Sequence, residues 1–455
     1  MRGQLELTPT YAAQLDGKIL ANAHAVGDVD GDGATELLFG SLLGKVSVFK
    51  IMGDRLTQWR SCEVNGSVTS ICLDYSVAGD VGAACCGGGG GYYRTRVIVA
   101  TAEGKCSVFR SVEGAGVLQL CSEFNAALNI CDVVHLNGEL IVATRDGRVL
   151  VYRANVDHAD PDELAEFSQV AQMEINGEIE TLIVLQSASA NPDASPRLLA
   201  RCFSGEVFCV SDKRDVVPWD GPPNENDGIT FVVGDIELGG ERGMNALVSM
   251  SGLVSLFSSS GERQWDFQLP EAVVNADKLE MTAVGGDRQD AIVVCTWSGQ
   301  LYAIQSERRL VRFRMLLPGC SMFCGKLLSL LTTVEFAPST DTDISVLGIV
   351  DIRDLSAQVD PTIVCISTSG TIFVYRDVQE TLIRGLQDST LSDKVRESAV
   401  FAQMDTPEKR QELMRKLRKA FPRSVVSSYT ATPSTEELIQ AMLAVQMDRK
   451  ENQCV

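Results

Sequence analysis

Histidine is nearly missing from this 455-residue chain, which has only His24, His135 and His158. Acid–base and nucleophilic catalysis most often use a histidine held beside a nucleophile or a carboxylate. None of the three stands in a recognisable motif, and His24 and His135 fall in strand-like runs where a hydrogen-bonded structural role is expected. The chain also lacks a P-loop, a GxGxxG turn after a strand and an HExxH helix, so phosphate-cradling, dinucleotide and zinc-protease chemistry have no support. The glycine run at 87–91 is without the Lys and Ser/Thr that make a phosphate loop specific.

Positive charge is in short supply. The 40 Lys and Arg stand against 60 Asp and Glu, for a net charge of −20. Sequence-independent binding to nucleic acid or to an anionic membrane surface, which needs clustered Lys and Arg, is disfavoured. No run of about 18 apolar residues occurs, and MRGQLELTPTYAAQLDG contains no apolar signal core. Neither a membrane span nor secretion is expected, and the chain is placed in the cytoplasm. Fourteen cysteines are scattered through strand-like runs such as VFCV and IVVCTW, consistent with reduced, buried thiols. Cys85 and Cys86 have no partner at zinc spacing.

What the chain has in quantity is repetition. One unit recurs seven times: an apolar run, a turn with a glycine, and a second strand-like run. The units read LLFGSLLGKVSVFK, VIVATAEGKCSVFR, LIVATRDGRVLVYR, LLARCFSGEVFCVS, ALVSMSGLVSLFS, IVVCTWSGQLYAIQ and TIVCISTSGTIFVYR. Their turn glycines are Gly44, Gly104, Gly147, Gly205, Gly252, Gly299 and Gly370. The mean spacing is about 54 residues, near propeller-blade length. Each interval has room for two flanking strands, such as NAHAVGDV before and LTQWRSC after the first unit, and GITFVVGDI before and RQWDFQL after the fifth. Four strands per repeat and seven repeats predict an all-β, seven-bladed β-propeller over residues 1–378. An open solenoid is the alternative, though its repeats are usually shorter and more uniform. The last blade lacks a fourth strand after Tyr375, and GQLELTP at the N-terminus is expected to supply it. DISVLGIVDI is a candidate first strand for that blade. Loops are expected at the glycine run, at NPDASP and at WDGPPNEND.

Residues 379–455 differ in kind and predict a helical C-terminal extension. TPEKRQELMRKLRKAF has a Thr406 cap, Pro407 at the first helical position and an apolar stripe of Leu413, Leu417 and Phe421. STEELIQAMLAVQM opens with the capping box Ser434 and Glu437. A third helix is expected near 390–401. Packing on the propeller and docking on a partner are both open roles for these faces.

One loop carries chemistry. In NAHAVGDVDGDGATELLFG, the DVDGDG core matches the opening of an EF-hand at Asp28, Asp30, Asp32 and Gly33, but position 12, which requires a bidentate Glu, falls on Phe39. The flanks are β-rich, so the loop joins strands and not helices. Asp28, Asp30 and Asp32, the main-chain carbonyl of Ala34 and Glu36 compose an oxygen cage for one Ca2+ or Mg2+. A solvated turn without metal is the alternative. GDIELGGERG and GGDRQDA retain only fragments of the pattern, which suits a structural staple better than a sensor.

The pattern DxDxDGxxEL running into Phe39-Gly40 resembles the FG-GAP repeat of integrin α propellers, with Glu36 where that repeat often has Asp. Within that class the resemblance is to the intracellular integrin-alpha FG-GAP repeat-containing protein 2 family. GDVDGDGATELLFGSLLGKVSVFK resembles its first repeat, and VVCTWSGQLYAIQSERRLVRFR followed by FCGKL resembles its sixth and the start of its seventh. The resemblance implies a non-enzymatic scaffold in a KICSTOR-like complex, with other protein subunits as partners and a GATOR-like complex engaged indirectly. It also implies a peripheral place on the lysosomal membrane and restraint of TOR kinase signalling when nutrients are scarce. A BBSome-like or coat-like trafficking adaptor, which shares isolated acidic loops, is the alternative. A WD-repeat adaptor would need recurring signatures, whereas only isolated Trp-Asp pairs occur, at Trp219 and Trp265.

Overall fold

The structure is a computed structural model. It describes residues 4–6, 8–52, 55–75, 95–112, 115–155, 166–185, 197–211, 214–219, 230–281, 288–305, 310–314, 321–329, 358–367, 369–376, 378–379, 381–382 and 407–420. The chain starts with two short strands, β1 (Gln4–Glu6) and β2 (Tyr11–Gln14). Blade 1 then follows as β3 (Ile19–Gly27), β4 (Glu36–Ser41), β5 (Lys45–Met52) and β6 (Arg55–Glu63). Blade 2 is β7 (Val68–Asp74), β8 (Arg96–Thr101), β9 (Lys105–Arg110) and β10 (Gln119–Asn125). Blade 3 is β11 (Ile130–Leu136), β12 (Glu139–Thr144), β13 (Arg148–Asn155) and β14 (Glu166–Glu174). Blade 4 is β15 (Ile179–Leu185), β16 (Arg197–Cys202), β17 (Val207–Val210) and β18 (Val216–Pro218). Blade 5 is β19 (Thr230–Leu238), β20 (Glu241–Ser249), β21 (Leu253–Phe257) and β22 (Arg263–Gln268). Blade 6 is β23 (Val273–Leu279), β24 (Ala291–Thr296), β25 (Gln300–Ile304) and β26 (Leu310–Arg314). Blade 7 consists of β27 (Ser321–Ser329), β28 (Gln358–Ile366) and β29 (Thr371–Tyr375), with β2 as its outer strand. A helix, α1 (Pro407–Ala420), follows. Among the described residues no helix is long and apolar enough to cross a membrane.

The seven repeated glycines build the middle hairpin of each blade. All seven sit at positive φ, from 79° at Gly299 to 98° at Gly252, in a left-handed conformation that costs other residues dearly. Each glycine N–H closes its turn on the carbonyl three residues earlier, as Gly44 does on Ser41 at 3.0 Å and Gly299 on Thr296 at 3.1 Å. A second repeated residue lies at that earlier position. The hydroxyls of Thr101, Thr144, Ser249, Thr296 and Ser367 accept the N–H four residues on, across the turn.

The core lies in the seams between blades. Phe39 and Val48 of blade 1, Val97 and Val99 of blade 2, and Val364 and Val374 of blade 7 belong to one buried cluster. Further seams join blades 2 and 3, 3 and 4, 4 and 5, 5 and 6, and 6 and 7. The middle strands are buried on both faces, which is why they read as near-continuous apolar runs.

The ring closes through β2, which pairs antiparallel with β29, Tyr11 opposite Val374 and Gln14 opposite Thr371. Thr10 N donates to Val374 O at 2.8 Å and Leu15 N to Gly370 O at 2.9 Å. The closing strand is therefore Tyr11–Gln14, beyond the expected GQLELTP. Within GQLELTP, Gln4–Glu6 instead adds a parallel fifth strand to blade 6, against β26. The first strand of blade 7 is β27, paired with β28. DISVLGIVDI, the glycine run, NPDASP and the two further expected helices lie outside the described residues, as do all of WDGPPNEND but Trp219. Past β29, Val378 and Leu382 are fully buried against Leu279, Met281 and Tyr375, so the packed body extends beyond residue 378.

Candidate functional site

The acidic loop joins β3 to β4 on blade 1. Asp28 shapes it: its Oδ1 accepts from Gly31 N at 2.6 Å and its Oδ2 from Gly33 N at 2.8 Å. Both glycines have positive φ, so the loop folds back onto the first carboxylate. Asp32 Oδ1 accepts from Ala34 N, and Glu36 Oε2 from Val29 N, each at 2.8 Å. Blade 2 braces the outside, where Thr95 Oγ1 donates to Asp28 O at 2.6 Å.

Asp28, Asp30 and Glu36 each offer a carboxylate oxygen within 4.8 Å of the others, the one such His/Cys/Asp/Glu group among the described residues. What their pattern alone does not reveal is Lys50, on β5. Its Nζ lies 2.9 Å from Asp30 Oδ2, 2.6 Å from Asp32 Oδ2 and 3.0 Å from Glu36 Oε1. The ammonium hydrogen-bonds Asp30 and Asp32, while the buried Glu36 Oε1 stands at ion-pair distance without a hydrogen-bond partner. The register explains the meeting: Leu37 pairs with Phe49 across β4 and β5, so one step further Glu36 stands opposite Lys50. Trp59 of β6 covers the stem, its ring centroid 5.0 Å from Nζ.

Electrostatics follow from burial and charge together. Glu36 is wholly buried, and burial pushes its carboxyl up to about 7, against the pull of Val29 N–H and Lys50. Burial alone would lower the Lys50 ammonium, but its hydrogen bonds to Asp32 and Asp30 and the nearby Glu36 charge outweigh this and hold it above the ordinary lysine range. Asp32 loses solvation as well, yet Lys50 and Ala34 N–H bring it below the usual carboxylate value.

These distances test the fit of a metal. Calcium takes six to eight oxygens at about 2.3–2.6 Å, and here Asp30, Asp32 and Glu36 direct oxygens at an ammonium instead. A divalent ion among the same oxygens would lie against Nζ, so the two exclude one another. With Lys50 in place the residues do not fit a divalent cation.

The two described histidines are structural partners. His24 Nδ1 lies 2.7 Å from Ala21 O, and His135 Nε2 lies 3.3 Å from Asp74 Oδ1, a carboxylate also paired with Arg96. Near the axis, buried Asp132 of blade 3 accepts from Ser70 Oγ of blade 2 and from Thr181 Oγ1 and Leu182 N of blade 4, each at 2.8 Å. Asn22 of blade 1 donates to Cys131 O of blade 3 at 3.2 Å and to Glu180 O of blade 4 at 3.3 Å. These bonds span the ring between blades that are not neighbours, so side chains cross the axis at this level. Cys62, Cys106, Cys131 and Cys202 are buried thiols, and burial pushes the Cys106 thiol up to about 12.

Comparison with known proteins agrees with the residues. The family model described as integrin-alpha FG-GAP repeat-containing protein 2 matches residues 224–339, which hold blades 5 and 6 and the first strand of blade 7. The KICSTOR complex protein ITFG2 of Mus musculus is 24% identical over 354 residues, covering 67% of this chain and 75% of the mouse protein. Its Bos taurus counterpart is 22% identical over 355 residues, covering 67% of this chain and 63% of the bovine protein. Among solved structures, BBS1N in complex with ARL6DN superposes with a TM-score of 0.52 at 14% identity, covering 82% of this chain and 98% of that one, a likeness of fold alone. On these matches the chain is similar to the integrin-alpha FG-GAP repeat-containing protein 2 family over part of its length.

Proposed function

We propose that this protein is a non-enzymatic scaffold subunit of a KICSTOR-like complex. The observation that carries the reading is the similarity to the KICSTOR complex protein ITFG2 over 354 residues, two thirds of this chain. The geometry is in keeping with it: the polar groups near the axis satisfy one another across blades, which leaves the propeller's rims and faces to engage partners. The finer reading is that the complex recruits a GATOR-like complex to lysosomal membranes and restrains TOR kinase signalling when nutrients fall. In this role the protein sits peripherally on the membrane and contributes protein–protein contacts.

Affinity purification of the tagged full chain from its own cells, fed and starved, tests this. KICSTOR-like subunits should co-purify in both states, with GATOR-like subunits enriched on starvation. Recovery of coat or BBSome-like subunits in their place would overturn the reading and move the protein to membrane trafficking.

A further inference from the structure

We infer that the first-blade loop is a cation seat filled from within: the Lys50 ammonium occupies the position for which the acidic loop is shaped, so that blade 1 folds without a divalent ion. Three observations converge on it. The ammonium lies 2.6–3.0 Å from a carboxylate oxygen of each of Asp30, Asp32 and Glu36. The Lys50 side chain is 11% exposed and Glu36 is fully enclosed, so each charge depends on the other for compensation. Register also fixes the lysine, because the hairpin turn that places Leu37 opposite Phe49 places Glu36 opposite Lys50.

A second loop reaches the same solution independently. Between β23 and β24 of blade 6, Arg288 Nη2 pairs with Glu280 at 2.8 Å and with buried Asp290 at 2.9 Å. Lys278 Nζ adds Glu280 at 3.2 Å and donates to Asp235 O of blade 5 at 3.0 Å. Where the acidic pattern of the first strands survives in part, cations of the chain itself neutralise it. Position matters too: the residue six after the turn glycine is basic in four of the seven repeats, Lys50, Arg110, Arg153 and Arg376. In blade 3 it again pairs across the strands, Arg153 with Glu139 at 2.6 Å. A basic residue already common to the repeats thus needs only the acidic loop above it to become an internal counter-ion.

Trp59 makes the seat readable. A terbium ion takes hard oxygen ligands as calcium does, and bound beside an indole it emits when the indole is excited. The full-length wild-type chain should give no sensitised emission on titration with Tb3+, and its melting temperature should be unmoved by Ca2+ or by chelator. Lys50→Gln vacates the seat and should give saturable emission that Ca2+ competes away, with the emission lost again in Lys50→Gln/Asp30→Asn. Wild-type emission abolished by Asp30→Asn would overturn the inference, since the metal would then displace the lysine. A dark Lys50→Gln protein that retains native circular dichroism would also overturn it, by showing that the loop is no cation seat. Lys50→Met serves as a second vacating variant if the glutamine variant fails to fold, and the wild-type titration read against Asp30→Asn is a test that needs neither.

Discussion

Gly147 holds the blade 3 hairpin turn at φ +89°, and a Cβ built on it falls 2.3 Å from the carbonyl oxygen of Ile175. The two segments are hydrogen-bonded there, Ile175 N to Gly147 O at 2.7 Å. Gly138 has a similar φ of +77° with nothing within 4 Å of its Cβ. Gly138→Ala is therefore expected to cost only the left-handed strain, about 1–2 kcal/mol. Gly147→Ala adds the displaced carbonyl and its hydrogen bond, for about 3 kcal/mol or more in urea unfolding; equal losses would show that close approach is not what selects the glycine. His24 offers a pH test. Burial lowers its imidazole to about 4 against a backbone hydrogen bond to Ala21, while the unfolded chain takes the proton near 6.5. With the folded value depressed, the stability is present above about pH 6.5 and is lost as pH falls toward 4. His24→Gln should flatten that slope by up to about 1.4 kcal/mol per pH unit, and identical wild-type and variant slopes between pH 4 and 6.5 would refute the assignment. Of the acidic loop, Asp28, Asp30, Asp32 and Glu36 were legible from spacing alone. Lys50 was not, because its place among them depends on strand register, although a basic residue ending the run KVSVFK between buried strands was a visible signal.

At the scale of the element, the hairpins were legible because one glycine per repeat marks a backbone conformation that no other residue adopts cheaply. The Ser or Thr three residues before most of those glycines is equally regular in the sequence. It escapes a reading by hydrophobic pattern, since a hydroxyl that latches a turn leaves no trace in apolar periodicity. The expected helix opening at Pro407 is α1, where proline supplies a preset φ and gives up only an N–H that has no intrahelical partner. The closing strand was misplaced within the N-terminal segment because two short runs there are both compatible with pairing. Only the long-range partners separate β1, on blade 6, from β2, on blade 7. The two should respond differently to truncation. Removing residues 1–7 takes away three parallel pairs at an outer edge, and the melting temperature should change little. Removing residues 1–16 also strips the fourth strand of blade 7 and Leu15, which is 1% exposed and worth roughly 2–3 kcal/mol of burial. The longer truncation should melt much earlier and aggregate through the exposed edge of β29; truncations of equal effect would mean that β2 does not close the ring.

A closed ring makes the molecule's stability a shared property, because every blade borrows its core from two neighbours. The weakest places are then those where a seam depends on chain from outside the repeats. The seam between blades 6 and 7 is one, since it is completed by Val378 and Leu382, both fully buried among Leu279, Met281, Val293, Ile363 and Tyr375. Composition and charge place the boundary between them, with Leu382 in the extension that begins at residue 379, because the sequence there turns polar. Their burial, however, assigns them to the propeller. Each apolar side chain of this size contributes roughly 1.5–3 kcal/mol when fully buried. A chain ending after residue 376 should thus lose roughly 3–6 kcal/mol relative to one ending after residue 385, enough to consume much of the 5–15 kcal/mol typical of a folded domain. The chain ending at 385 should retain β-rich circular dichroism and a cooperative transition, and the chain ending at 376 should melt at a markedly lower temperature. Because the chain ending at 385 lacks α1 while sparing the ring, the same protein, used as bait in the fed and starved purification, separates the propeller's partners from those that need the tail. Indistinguishable melting of the two truncations would place the edge of the cooperative unit at β29 and leave Leu382 with the extension.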